Sequence, residues 1–328
     1  MTHLTRRQWL GAALAATILP LTATSALAQD AYPSRPVKWL VPYLAGTAPD
    51  TSARILAEAV APILGQPIVI ENRPGAGGNI GTRLVARAPA DGYTWLYAGV
   101  PIASNMRIYK APGFDALKDF RHVIRTGKSE VAVIVNADSD IKTLDELLAR
   151  LKAKLGKVDY ASGGIGTPSH LGMEQLLAAT GTDAMHVPYK GASEIVNAVL
   201  GKQVTFGMPI ASVAYPFVQT GKLRMLAISG AQRNAALPQV PTLAELGIKG
   251  VELTSWGGVS VPAGTPDAVV KRIHDAFAQA LKSPQLVAKL EQQGGQVQVV
   301  DGEGFARSIE QEMKTTEAMM KRVGLEPM

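Results

Sequence analysis

Short apolar runs alternate with amphipathic stretches along most of the chain. Residues 37–43, with Val37, Trp39, Leu40 and Val41, have the length and apolar character of a strand. Next, Ile55, Leu56, Ala59, Val60, Ile63 and Leu64 recur at helical spacing and stop at Gly65. Asp50 is the expected N-cap of that helix. The pattern predicts strands at 67–71 and 93–98, with a glycine loop and a helix through Val85 between them. The alternation restarts at Val131. Strands are expected at 131–135, 158–161, 185–189, 204–208 and 223–228, separated by helical patterns. Thr143 with Glu146, and Thr242 with Glu245, have capping-box spacing, the first opening a helix that ends at Gly156. Residues 251–261 form one long strand pattern. After a cap-plus-proline start at Thr265 and Pro266, the remainder is mostly helical.

Strands alternating with helices predict an α/β protein with parallel sheets covered by helices on both faces. The restart at Val131 divides it into two lobes, 30–129 plus 253–328 and 130–252. Long strands near Val131 and Trp256 are the candidates to cross between them.

The first 28 residues lie outside this alternation. Arg6 and Arg7 precede an apolar run over 11–21, and Ala26-Leu27-Ala28 forms a small-x-small cleavage site. This is an export signal, and Arg6-Arg7-Gln8-Trp9-Leu10 resembles a twin-arginine signal, with an ordinary secretory signal as the alternative. The signal carries two of the 33 basic and none of the 27 acidic side chains. Cleavage after Ala28 leaves 300 residues at net +4. The expected location is the periplasm, with no membrane insertion of the mature chain. The basic residues are scattered, which argues against nucleic acid. The absence of cysteine excludes thiol catalysis and cysteine metal sites.

Enzyme spellings fail in turn. Gly75-Ala76-Gly77-Gly78-Asn79-Ile80 has Ile80 where a dinucleotide fingerprint needs glycine. Residues 163–167 lack the lysine of a P-loop, and neither a Gly-x-Ser-x-Gly elbow nor a His-Glu-x-x-His motif occurs. His122, His170, His186 and His274 stand alone in the sequence. What remains is a set of loops after strands. Ser162-Gly163-Gly164-Ile165-Gly166-Thr167 leads into a helix opened by Pro168, a strand–glycine loop–helix unit that points free amides at an anion. The same glycines also serve simply to turn a tight corner. Gly46-Thr47 and Gly99-Val100 likewise follow strands, on the sheet edge where ligands of open α/β folds sit.

Several runs carry a family resemblance. They are Glu71-Asn72-Arg73-Pro74-Gly75-Ala76-Gly77-Gly78, Asp91-Gly92-Tyr93-Thr94, Ala161-Ser162-Gly163-Gly164-Ile165-Gly166-Thr167, Val187-Pro188-Tyr189-Lys190-Gly191 and Pro262-Ala263-Gly264-Thr265-Pro266. In order and over essentially the whole mature chain, this resembles the solute receptors of tripartite tricarboxylate transporters, the Bug receptors. The resemblance implies a type II periplasmic-binding-protein fold, with two lobes joined by two crossover strands around a ligand cleft. It implies a small carboxylate held mainly by loop amides and waters, no cofactor, transporter subunits as membrane partners, and a monomer. By position, the first-lobe ligand loop falls on Leu44, Ala45, Gly46, Thr47, Ala48 and Asp50. The second-lobe loop falls on Ser162, Gly163, Gly164, Gly166 and Thr167, with His170, Tyr189 and Lys190 nearby. One departure stands out. Where the family pattern is Pro-Gly-Gly-x-x-Asp, this chain has Ala45-Gly46-Thr47-Ala48-Pro49-Asp50. Thr47 adds a Cβ and a hydroxyl, and Pro49 removes an N–H. A receptor feeding a transporter, a ligand sensor for a signalling system, and an enzyme on the same fold are the functional alternatives.

Overall fold

The computed structural model describes residues 32–153, 157–234, 237–251, 253–293, 295–323 and 325–328. The export signal and the helix stop at Gly156 lie outside the described residues. In chain order, the first part runs β1 (Val37–Val41), α1 (Ala48–Leu64), β2 (Ile68–Asn72), α2 (Asn79–Ala86), β3 (Thr94–Gly99), α3 (Pro101–Ile108) and β4 (Phe120–Glu130). There follow β5 (Ala132–Asn136), α4 (Leu144–Ala153), β6 (Asp159–Ser162), α5 (Pro168–Thr180), β7 (Met185–Pro188), α6 (Ala192–Leu200), β8 (Phe206–Gly207), α7 (Ala211–Gln219) and β9 (Leu223–Ile228). The chain closes with β10 (Thr254–Pro262), α8 (Asp267–Ala280), α9 (Pro284–Glu291), β11 (Gln296–Asp301) and α10 (Gly302–Val323).

Two sheets result, ordered β2-β1-β3-β10-β4-β11 and β7-β6-β8-β5-β9. Each begins with a parallel trio in which the first strand in sequence lies between the second and third. Each trio is then flanked by an antiparallel strand from elsewhere in the chain, β10 in one case and β5 in the other. The sheets are therefore mixed, where the alternation alone predicted parallel ones. The burial pattern explains the layers. Trp39, Trp95 and Phe277 pack edge-on under α1 and α8 on one face of the first sheet. Trp256 and Phe305 pack edge-on on its other face, beneath α10.

Two strands differ from expectation. β4 is missing from the apolar reading because Arg121, Arg125 and Lys128 interrupt it. Arg121 reaches the Thr265 carbonyl at 2.8 Å, and Arg125 reaches Gln298 at 2.8 Å. Those partners lie more than 140 residues away, so no local window contains them. β11 was absorbed into the helical C-terminus, yet Gln296 and Val297 pair with Lys128 and Gly127 as an edge strand. The crossing at Val131 also differs. Val131 is not part of a long strand; it makes a single bridge to Ile210, between the end of β4 and the start of β5. Ser229 clasps the two crossings. Its Oγ accepts the Val131 N–H at 3.1 Å and donates to the Leu253 carbonyl.

Caps follow the sequence with three corrections. Pro266, not Thr265, is the N-cap residue of α8, while the Thr265 hydroxyl donates to the Pro262 carbonyl at 2.7 Å. Thr143 and Glu146 exchange capping bonds, and so do Thr242 and Glu245, but the second pair closes only a turn. Asp50 is not the N-cap of α1. Thr47 holds that place, and Asp50 is the third helical residue. Among the described residues, no helix is long and apolar enough to cross a membrane.

Candidate functional site

Each parallel trio places a glycine–threonine loop after its central strand. In the first sheet this joins β1 to α1, in the second β6 to α5. Gly46 and Gly166 both sit at φ +79°, a left-handed conformation that costs glycine nothing. Thr47 and Thr167 then cap their helices at φ −76° and −75°. Each hydroxyl donates backward at 2.7 Å, Thr47 to the Leu44 carbonyl and Thr167 to the Gly164 carbonyl. The Thr47 hydroxyl thus folds into its own loop.

The third residue of each helix accepts the glycine amide. Asp50 Oδ2 takes the Gly46 N–H at 2.9 Å, and His170 Nδ1 takes the Gly166 N–H at 3.4 Å. Burial works to raise the Asp50 carboxyl, but hydrogen bonds from Arg54, the Gly46 amide and Asn72 outweigh it and hold the group below its ordinary pKa. His170 and His186 do not stand alone. Their rings stack at 4.6 Å, and His186 stacks on Tyr160 at 4.9 Å. Burial pushes His170 down to about 4. His186 falls to about 4 through burial and through its neighbour His170, with Glu174 acting the other way. Ser162 Oγ accepts the Gly164 N–H at 3.1 Å and lies 2.6 Å from His186 Nε2. The stack is a neutral buttress behind the second loop.

The loops face each other across a cleft. Ser193 Oγ donates to the Gly46 carbonyl at 3.2 Å, and Ser104 Oγ to the Gly166 carbonyl at 2.9 Å. Between them is a cavity of about 70 Å³, lined by N-terminal residues of four helices. Thr47 and Pro49 come from α1, Val100 and Pro101 from α3, Thr167, Pro168 and Ser169 from α5, and Gly191 and Ala192 from α6. First-turn amides have no intrahelical acceptor, and each helix start carries roughly half a positive charge. Tyr43 and Tyr97 also line this space, and their hydroxyls make no hydrogen bond among the described residues. Burial pushes both phenols up, so they remain neutral donors. A second, adjoining cavity of about 230 Å³ shares Pro49, Tyr97, Ile210, Ser255 and Trp256 with the first. Among the described residues no Asp or Glu lines either cavity.

Of the candidates named from sequence, Thr47, Gly163, Thr167 and Lys190 line the smaller cavity, and Gly46 and Ala48 the larger. Leu44, Ala45, Asp50, Ser162, Gly164, Gly166, His170 and Tyr189 line neither. Asp50 and His170 act behind the loops by holding Gly46 and Gly166. The sequence reading missed Tyr43, Tyr97, Ser169, Ser255 and Trp256. The position of Tyr43, last in the strand pattern over 37–43 and directly before the first ligand loop, was the one available signal.

This fold and this cleft define a two-lobed solute-binding protein. The chain belongs to the tripartite tricarboxylate transporter family receptors, whose sequence profile matches residues 52–325. A Cupriavidus necator relative, "UPF0065 protein in gbd 5'region", is 37% identical over 331 residues, covering 98% of each chain. The solved periplasmic binding protein BugD superposes with a TM-score of 0.86 at 33% identity, over 90% of this chain and 100% of that one. Rpa4515 of R. palustris, solved with adipate, gives a TM-score of 0.87 at 30% identity, over 90% of this chain and 100% of that one.

Proposed function

We propose that the protein is a periplasmic receptor. It captures a small organic carboxylate between its lobes, 30–129 plus 253–328 and 130–252, and delivers it to a tripartite tricarboxylate-type membrane transporter. The observation that carries this reading is the convergence of four helix starts on one cavity whose described walls hold no carboxylate. Hydrogen bonds to a charged group contribute about 1.5–3 kcal/mol each. Three or four of them approach the roughly 8 kcal/mol of a micromolar complex. The amides of α1 and α5 and the hydroxyls of Tyr43 and Tyr97 are the donors. Asp50, Ser162, Gly164, Gly166 and His170 shape the loops that present them. The receptor works as an exported monomer, freed of its signal after Ala28, with no cofactor and no turnover of the acid.

Gly163→Asp tests this reading. Gly163 lines the cavity, and a Cβ there would meet Gly191 and Ser169 at ordinary contact distances of 3.4 Å. Gly164, at φ +107° and turned toward the Tyr189 carbonyl, would be strained by any side chain. The added carboxylate should occupy the anion's place and abolish ligand-induced thermal stabilisation, about 2.7 kcal/mol at 100 times the dissociation constant. An undiminished melting shift in a folded Gly163→Asp protein would place the carboxylate elsewhere.

A further inference from the structure

We infer that Ser104 and Ser193 form a reciprocal clasp that holds the cleft closed and sets the rate of ligand release without touching the ligand. The inference rests on the two-lobed receptor reading, not on the nature of the ligand. Ser104 lies on α3, which follows β3 of the first sheet, and donates to the Gly166 carbonyl in the loop after β6 of the second. Ser193 lies on α6, which follows β7 of the second sheet, and donates to the Gly46 carbonyl in the loop after β1 of the first. Each acceptor is the left-handed glycine of its loop. Its N–H is taken inside that loop, by Asp50 or by His170, and among the described residues its carbonyl receives no backbone N–H. Each loop therefore has one acceptor left over, and the serine that fills it comes from the other sheet. Neither serine lines either cavity.

The two bonds differ in strength. Ser104 is fully buried and its bond is 2.9 Å long. Its helix is braced from behind, where Asn105 Nδ2 donates to the Gly77 carbonyl at 3.1 Å and to Asn79 Oδ1 at 2.6 Å. The glycine run that fails as a dinucleotide fingerprint thus holds α3 against the second loop. Ser193 is half-buried and its bond is longer, 3.2 Å. Water satisfies the same groups in an open cleft, so each bond favours the closed form by only about two- to tenfold. Four helix starts of like partial charge oppose closing, and an anion between them removes that opposition. Clasp and anion therefore close the cleft together. Weakening the clasp lowers the closed population and raises the apparent dissociation constant, whichever acid is bound.

Two measurements on the full mature protein test the clasp. The chain has no cysteine, so Thr47→Cys with Gly191→Cys introduces a single pair. Thr47 Cγ2 stands 3.2 Å from a Cβ on Gly191, and Gly191 has extended backbone at φ 167°, open to any residue. The rate at which this pair oxidises in ligand-free protein counts visits to the closed form. Adding Ser104→Ala should slow oxidation roughly tenfold and Ser193→Ala roughly two- to threefold. Ser193→Thr, which keeps the hydroxyl, should restore the parent rate. Without the cysteines, stopped-flow release of acetate, malate, adipate and benzoate is followed by the fluorescence of Trp256, which lines both cavities. Release of each acid that binds should quicken by those same factors, with association unchanged. Melting without ligand checks that every variant is folded. Parent oxidation rates in both alanine variants would overturn the clasp. So would a change in release that differs from acid to acid, which would make the serines ligand contacts. If none of the acids binds and the alanine variants still slow oxidation, the clasp stands and the carboxylate reading fails.

Discussion

The loops on the two sides of the cleft are built alike from different residues. Residues 44–50 and 164–170 share a left-handed glycine, a capping threonine with a 2.7 Å backward hydrogen bond, and an acceptor at the third helical position. Both leave the middle strand of a parallel trio, so both sit where neighbouring connections part to opposite faces. The acceptors differ in kind. Asp50 is a carboxylate pinned by Arg54 and Asn72, whereas His170 is a neutral ring in a stack. The backbone device is therefore common to both lobes, while its rigidity and its response to acid belong to each separately. The comparison also accounts for Thr47. It reproduces in the first lobe the cap that Thr167 forms in the second.

The sharpest way to separate the loops is to crowd their glycines. Gly46→Ala and Gly166→Ala carry the same backbone penalty, about 1–2 kcal/mol for a left-handed alanine. At Gly46 the new Cβ would meet nothing within 4 Å. At Gly166 it would lie 2.6 Å from Ile108 Cδ1 and 3.1 Å from Asn105 Oδ1. Ile108, at the end of α3, is buried in a hydrophobic cluster with residues of β5, α4, β6 and α5 and has little room to yield. Denaturant unfolding should show Gly166→Ala losing roughly 1 kcal/mol or more beyond Gly46→Ala. Equal losses would mean that α3 does not press on the second loop.

Acid should separate them next. His170 and His186 have folded values near 4 against about 6.5 for a free histidine, so the unfolded chain binds more protons between those limits. Their contribution is whole above about pH 6.5 and is lost as pH falls toward 4. Asp50 has a depressed value, so its contribution is lost only as pH falls below that of a free aspartate, near 4. Glu312 runs the other way, since burial raises it to about 7, a Trp256 hydrogen bond offsetting part of the shift. The informative quantity is thus a difference between variants. Between pH 7 and 4.5, wild type should lose roughly 1–3 kcal/mol more than His170→Gln, and Asp50→Asn should leave the slope in that window unchanged. Identical slopes for wild type and His170→Gln would show that the ring is not held neutral.

Legibility from sequence followed the range of the interactions. The strand–loop–helix units and their stops at Gly65 and Gly181 were readable because a helix terminus is a local event, and both glycines are left-handed caps in the structure. The capping role of Thr47 was obscured by Asp50, because either residue type caps well and only the loop's path decides between them. β4 was hidden because two of its charges, Arg121 and Arg125, are satisfied across the fold. The histidine stack was hidden because His186 reaches His170 through the β6–β7 pairing. Tyr97 and Trp256 lie within apolar strands and so looked like core. Their place at the cavity depends on which face of each strand meets the cleft, and single-strand periodicity cannot assign that once both faces are covered.

The smallest effect should come from placing glycine at position 47, where the resemblance implies one. Thr47→Gly removes a 2.7 Å hydroxyl bond but keeps a residue tolerated at N-caps, so the stability loss should be only a few tenths of a kcal/mol. Its effect on binding is steric. Thr47 lines the smaller cavity, and its Cγ2 stands 3.2 Å from where a Cβ on Gly191 would lie, narrowing the gap between the lobes. Removing that methyl should admit bulkier or branched acids that the wild type excludes, with little change for linear ones. Thr47→Val is the control. It removes the same hydroxyl bond but keeps a methyl beside Gly191, so selectivity should stay as it is. A panel of linear and branched acids compared by thermal shift reads out both variants. Equal broadening by both would assign the effect to loop flexibility, and no broadening by Thr47→Gly would leave the methyl without a role in selection.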